Sequence, residues 1–234
     1  MSSDPVTGRF RVGVIGAGSV GAAHVRAAAD ARTHRTAAIC DPRGSAARAL
    51  APAGVPVFTD HREMFAAGGL DAVVVAVPHA LHLPIVTDAA AAGLHVLVEK
   101  PMATSVEDCA RMADACDRAG VLLAVAHVIH FDPLAREARR LVRSGEFGRP
   151  VLVTHRRSAH YDQGSRPSWF FDRELAGAAS SSTSAPTAWT GSSGSPAPRC
   201  GGSAAWSAAG TASRWRPTPS PSWNWPTAPP RASP

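Results

Sequence analysis

The sequence predicts an α/β fold. A doubly wound parallel sheet is expected over residues 9–125, the opening of an incomplete α+β second domain over 126–177, and a tail of different character over 178–234. Three observations carry this. Short β-branched runs alternate with alanine-rich helical stretches through short connections, the rhythm of parallel strands joined by crossover helices. The first of these strands runs directly into a glycine-rich turn. The fifth stops at Glu99-Lys100-Pro101, where proline, with no N–H to donate, ends a strand.

The elements follow in order. Residues 1–8 are polar, with Pro5 and Gly8, and read as a loose arm. Phe10 to Ile15 is the first strand, and a helix from Val20 to Ala29 turns Val25 toward the sheet. Thr36 to Cys40 is the second strand, ending at Asp41. Ser45 to Leu50 is helical, Val55 to Phe58 a strand, His61 to Ala67 a helix. Ala72 to Val77 has the continuous apolar character of a strand buried on both faces and ends at Pro78. A helix after His79-Ala80-Leu81-His82 runs to Ala92, and Gly93 closes it. His95 to Glu99 is the next strand. Thr104 or Ser105 caps a long helix to Arg118, with Glu107 in its first turn facing the positive helix end. Val121 to Val125 completes the series. Beyond Ala126 come a helix from Leu134 to Val142, a turn between Gly145 and Gly148, a strand from Val151 to Arg157, and Trp169-Phe170-Phe171.

Gly16-Ala17-Gly18-Ser19-Val20-Gly21 is a GxGxxG sequence between a strand and a helix, the context that gives this short motif meaning. Gly16 permits the tight turn, Gly18 lets a pyrophosphate approach the backbone, and Gly21 lets helix and strand pack closely. The helix N-terminus offers its free N–H groups to the phosphates. Asp41 follows about 20 residues later, where an acid reaches the ribose hydroxyls of a dinucleotide. A carboxylate there repels a 2′-phosphate and favours NAD, while Arg43 keeps NADP open. The other reading of Asp41 is a turn residue before Pro42. Val77, Pro78, His79 and His82 lie past the carboxyl end of the fourth strand, near the expected nicotinamide half, either as cofactor contacts or as solvated loop side chains. Glu99 and Lys100 lie at the carboxyl end of the fifth, where open α/β sheets bind ligands. Lys100 is the one lysine among 24 basic residues. Arginine cannot give up its proton, whereas a lysine amine can be tuned to do so. Its plainer reading is a surface lysine beside Glu99. The Lys100–Pro101 bond is a candidate cis bond, since X–Pro bonds pay only about 0.5–1 kcal/mol for that form.

Composition excludes several classes. The formal charge is +6, yet four arginines and none of the 18 acids fall after Gly177, so the rest of the chain is near balance. No basic stripe with interleaved aromatics points to nucleic acid. Cys40, Cys109, Cys116 and Cys200 lack metal-ligand spacing, and no metal site is expected. No signal pattern or membrane-length apolar run is present, so a cytoplasmic setting is the expectation.

Together these residues resemble the glucose–fructose oxidoreductase / inositol dehydrogenase (Gfo/Idh/MocA) family. The resemblance rests on Gly16/Gly18/Gly21, Asp41, the AVPHALHLP segment, HVLVEKPM, HFDP, the helix ending in SGEFGRP, and the W-x-x-D-x-x-x-A-G run to Gly177. It implies NAD(P)-dependent oxidation or reduction at a hydroxyl-bearing carbon of a sugar, cyclitol or related small molecule. It further implies that Lys100 lies against nicotinamide and substrate as the catalytic residue, and that intact relatives form homo-oligomers through a C-terminal sheet. His130 stands where the family commonly has arginine. The contrasting reading is a non-catalytic NAD(P)-binding or interaction protein with a natural Pro/Ser-rich tail.

The family pattern should continue with Gly-rich residues and an Asp-x-x-x-His pair. Instead, after Leu175 the chain uses only Ala, Gly, Ser, Thr, Pro, Arg, Trp and Cys, plus Asn224. Such a composition cannot bury enough apolar surface to fold and is expected to be disordered. All these residue types except asparagine have codons with G or C in the middle position, the alphabet that arises when a GC-rich gene loses one nucleotide and old third positions become middle ones. Undoing the slip forces aspartate at the slot of Thr190 and permits histidine at that of Thr187, aspartate at that of Thr183, and Gly-Gly at Ala178-Ala179. A shift of frame near Gly177 is therefore expected.

Overall fold

The computed structural model describes residues 8–148 and 166–177. Six parallel strands form one sheet: β1 (Phe10–Ile15), β2 (His34–Cys40), β3 (Val57–Phe58), β4 (Ala72–Val75), β5 (His95–Val98) and β6 (Leu123–Val125). Their spatial order is β3-β2-β1-β4-β5-β6. The chain reverses direction across the sheet between β1 and β4, and the carboxyl ends of these two strands open the crevice where such sheets bind ligands. The expected doubly wound fold is the observed one.

The crossovers are α1 (Ser19–Ala29), α2 (Gly44–Leu50), α3 (His61–Ala66), α4 (His82–Ala91) and α5 (Val106–Ala119). Their ends follow local chemistry. Asp60 caps α3 by accepting from the Arg62 amide, and Ser105 caps α5 by accepting from the Asp108 amide. Gly120 closes α5 in the left-handed region that favours glycine. The Ser105 cap decides between the two expected capping residues.

Most elements fall within a residue or two of expectation. Three strands are shorter. β3 keeps two residues because Pro56 precedes it, although the Pro56 carbonyl still accepts from Ile39. β4 ends at Val75 because its neighbour β1 turns away at Gly16; only the Ala76 amide still reaches back, to Ile15. β6 begins at Leu123 because Val121 is used to close α5, donating to the Cys116 carbonyl.

The core lies on both faces of the sheet. One side gathers Ile15, Val73, Val75, Val86, Val96, Val98, Met64, Met112 and Cys116; the other, smaller, gathers Val14, Val25, Ile39 and Ala47. β4 is buried on both faces and reads accordingly as an uninterrupted apolar run, whereas β5 buries Val96 and Val98 and leaves His95 and Leu97 half-buried. Cys40, Cys109 and Cys116 are buried free thiols.

After β6 come α6 (Pro133–Ser144), capped by Asp132 through the Ala135 amide, and the short α7 (Arg173–Ala176). The expected strand over 151–157 and the tail from residue 178 lie outside the described residues. Among the described residues no helix is long and apolar enough to cross a membrane.

Candidate functional site

Four turns meet at the carboxyl edge of the sheet. The first follows β1. Gly16 has φ +103°, the left-handed region, and a β-carbon there would run into the Ala76 carbonyl. A β-carbon on Gly21 would collide with the Gly16 carbonyl, so helix and turn meet backbone to backbone. Gly18 is different: it is exposed, and nothing lies within 4 Å of where its β-carbon would stand. The turn is closed below and open above. Ala17 donates its amide to Asp41, while Ser19 and Val20 are exposed and begin α1. No side chain caps α1, and its first turn holds no acid. A helix start left this way suits an anion.

The second turn follows β2. Asp41 is 6% exposed. Its Oδ2 accepts from the Ala17 amide at 2.8 Å, and its Oδ1 from the Arg43 amide at 2.9 Å and Arg43 Nε at 3.1 Å. Burial pushes the carboxyl up, but Arg43 and the two amides more than offset this and hold it below the ordinary aspartate value. Asp41 is thus both an organiser of the glycine turn and an anion at the crevice. Of its two expected roles, the turn role is the one these hydrogen bonds show.

The third and fourth turns follow β4 and β5. The Lys100–Pro101 peptide is cis, as expected from sequence. Glu99 Oε1 lies 2.8 Å from His24 Nε2, and its Oε2 accepts from the Lys100 amide at 3.2 Å. Burial acts to raise the Glu99 carboxyl, but the bond to His24, the Lys100 amide and the Lys100 charge together bring it below the ordinary value. The charge of Lys100 is also felt at His79 and His127.

Val77 and Pro78 are half-buried where β4 leaves the sheet. The histidines that follow are buried rather than solvated. His79 is 6% exposed, its Nδ1 lies 2.9 Å from the Ala176 carbonyl, and its ring meets the edge of Trp169. His82 is 0% exposed; its Nδ1 and Nε2 each lie 3.0 Å from a backbone carbonyl, of Met102 and of Val77. Burial pulls both histidines below the ordinary value. Both expected alternatives for His82, cofactor contact or solvent, give way to a packed interior role, because its two ring nitrogens are taken up within the protein.

Sequence reasoning missed His24 and His127. His24 lies one helical turn after Gly21, on the face of α1 that carries buried Gly21, Val25 and Ala28, and that spacing was the available signal. His127 follows β6, and its Nδ1 is enclosed with no hydrogen-bond partner among the described residues. No short-range pattern marks it.

Residues 10–127 match the model of the GFO_IDH_MocA family, described as an oxidoreductase family with an NAD-binding Rossmann fold. The chain belongs to this family. Among its relatives, the rhizopine catabolism protein MocA of Rhizobium meliloti is 36% identical over 146 residues, covering 62% of this chain and 46% of that protein. D-xylose 1-dehydrogenase (NADP(+)) 2 of Haloferax volcanii is 38% identical over 144 residues, covering 61% and 44%. Among solved structures, the WlbA dehydrogenase of Bordetella pertussis, in complex with NADH and UDP-GlcNAcA, aligns with TM-score 0.57 at 36% identity, covering 60% of this chain and 44% of that one. The chain thus spans somewhat less than half the length of these relatives.

The residues present fit a dinucleotide. The turn is closed at Gly16 and Gly21 and open at Gly18, the helix start is uncapped, and an anionic Asp41 stands beside it. Among the described residues no group of three or more His, Cys, Asp or Glu is placed to hold a metal ion.

Proposed function

We propose that this chain carries the dinucleotide half of an NAD(P)-dependent oxidoreductase acting at the CH–OH carbon of a sugar, cyclitol or related small molecule. We further propose that its substrate domain begins near residue 126 and breaks off near Gly177. The observation that carries the first part is the arrival of Lys100 and the Gly16–Gly21 turn at one edge of the sheet, on either side of its reversal point. The relatives' named substrates, a rhizopine, xylose and a sugar nucleotide, support the substrate class.

The Gly16–Gly21 turn and the start of α1 would hold the pyrophosphate, Asp41 the adenosine ribose, and Val77, Pro78 and Lys100 the nicotinamide side. The nicotinamide supplies the hydride acceptor or donor. Lys100 Nζ would bind the reacting oxygen and move its proton. NAD is favoured over NADP. Asp41 stays anionic well into acid, and the Arg43 guanidinium is already spent on it, through Nε at 3.1 Å and Nη2 at 3.4 Å.

Support for the second part is the tail alphabet and the shared length with relatives. Phe131, Leu134 and Phe147, around α6, stand 78%, 82% and 73% exposed, apolar surface of a kind that a continuing domain would cover.

The test is titration of the 234-residue chain with NADH and NADPH, followed by turnover on a sugar and cyclitol panel, for this chain and for one with the frame restored. Saturable binding with NADH preferred, little turnover here, and turnover in the restored chain that Lys100→Ala abolishes, are expected. Failure to bind either dinucleotide overturns the functional reading. Measurable kcat in the 234-residue chain overturns the interrupted-domain reading.

A further inference from the structure

Lys100 sits on a turn that two histidines hold from opposite sides, and neither histidine belongs to it. On one side is His24, from α1. A carboxylate only accepts hydrogen bonds, so the 2.8 Å contact requires a proton on His24 Nε2, and that bond survives whether Nδ1 is protonated or not. The other Glu99 oxygen accepts from the Lys100 amide. Glu99 therefore relays the position of α1 to the backbone of Lys100. On the other side is His82, at the start of α4, with one ring nitrogen on the Met102 carbonyl and the other on the Val77 carbonyl. Carbonyls also only accept, so a neutral ring can donate to one of the two. His82 ties the turn after β5 to the turn after β4.

We propose that His24, acting through Glu99, is a positioning residue that sets Lys100 against the nicotinamide side of the crevice, with His82 holding the far end of the same turn. This rests on the dinucleotide-binding reading above. It adds that α1 does two things: its N-terminus takes the pyrophosphate, and His24, less than two turns in, fixes the residue that meets the other end of the cofactor. The energy is that of a charge-assisted bond in a partly buried place, where His24 and Glu99 side chains are 20% and 13% exposed. A neutral general role in packing would not need an imidazole at that spot, since Val25 and Ala28 already fill the sheet-facing side of α1.

Lys100 makes the test clean, because it is the only lysine. An amine-selective acylating reagent labels Lys100 and the N-terminus alone, and mass spectrometry separates the two. The full chain is labelled with and without saturating NADH, and its affinity for ADP-ribose, which lacks the nicotinamide, is measured in parallel. In the unaltered chain NADH should slow labelling of Lys100. In His24→Ala the ADP-ribose affinity should stay within about twofold, while the protection of Lys100 by NADH falls by about tenfold, the loss of one hydrogen bond to a charged group. His24→Gln, whose amide can still donate to Glu99, should recover most of the protection. If His24→Ala does not fold, His24→Gln and Glu99→Gln decide the matter: the first should keep protection and the second, with a weaker neutral acceptor, should lose part of it. Equal protection in all variants that bind ADP-ribose overturns the positioning role. Absence of ADP-ribose and NADH binding in the unaltered chain would instead sink the dinucleotide reading itself.

Discussion

A single methyl group at Gly18 separates binding from folding. The backbone there has φ −80° and ψ −174°, a conformation open to any L-residue. Nothing lies within 4 Å of the added carbon. Gly18→Ala should therefore leave the melting temperature of the ligand-free chain almost unchanged, within about 1 kcal/mol for the exchange of glycine for alanine at a helix start. Gly21→Ala is the contrast, because its new carbon collides with the Gly16 carbonyl and backbone must move. That should cost about 1–3 kcal/mol, as overpacking does. The open space over Gly18 is where the pyrophosphate would approach, and a methyl group there should weaken binding at least about tenfold, or about 1.4 kcal/mol. The assay is thermal unfolding at fixed NADH. At about 100 times Kd, ligand adds about 2.7 kcal/mol of stability, and a tenfold weaker site leaves about 1.4 kcal/mol at the same concentration. For a domain of this size each kcal/mol moves Tm by roughly 2–4 °C. The NADH-induced rise should thus roughly halve in Gly18→Ala. An undiminished rise would show that the phosphates do not lie on this turn, and a ligand-free melt as low as that of Gly21→Ala would show that the space is not open.

Three further outcomes are expected. His79, His82 and His127 are held below the ordinary histidine value by burial, so the unfolded chain takes up their protons first. Stability from this source is complete above about pH 6.5 and is lost as pH falls toward their folded values; urea midpoints should drop from pH 7.5 to pH 5.5, and a rise would contradict the burial argument. Burial pushes the Cys40 and Cys109 thiols up to about 12 and Cys116 to about 11, so all three should resist a thiol reagent in the native chain and react once it is unfolded, read by mass spectrometry. Sequencing the gene from the codon for Leu175 to that for Thr190 and beyond should open, after a one-base shift, a long run with Asp-x-x-x-His and alternating apolar strands; a shifted frame that closes within a few codons would make the Pro/Ser-rich tail the natural one.

The sequence by itself determined the sheet and the turns at its carboxyl edge. Apolar runs such as Val73–Val75 and Val96–Val98 call for cover by packed helices, and their spacing leaves room for one helix between strands. The glycines at 16, 18 and 21 and the proline at 101 restrict the backbone locally, so their turns could be placed before any tertiary contact was known. Side chains whose partners are far away in the chain could not be placed so. His82 reads as a loop histidine because its partners, Val77 and Met102, come together only when β4 and β5 pair. His24 could not be paired with its partner from local sequence, because Glu99 lies 75 residues away. The hold of Asp41 on the glycine turn could not be read locally, since its contact with the Ala17 amide exists only once β1 and β2 lie side by side. Local backbone chemistry is written in neighbouring residues, whereas the hydrogen bonds that fix a functional side chain depend on which strands meet, and that was decided by the packing of the whole sheet.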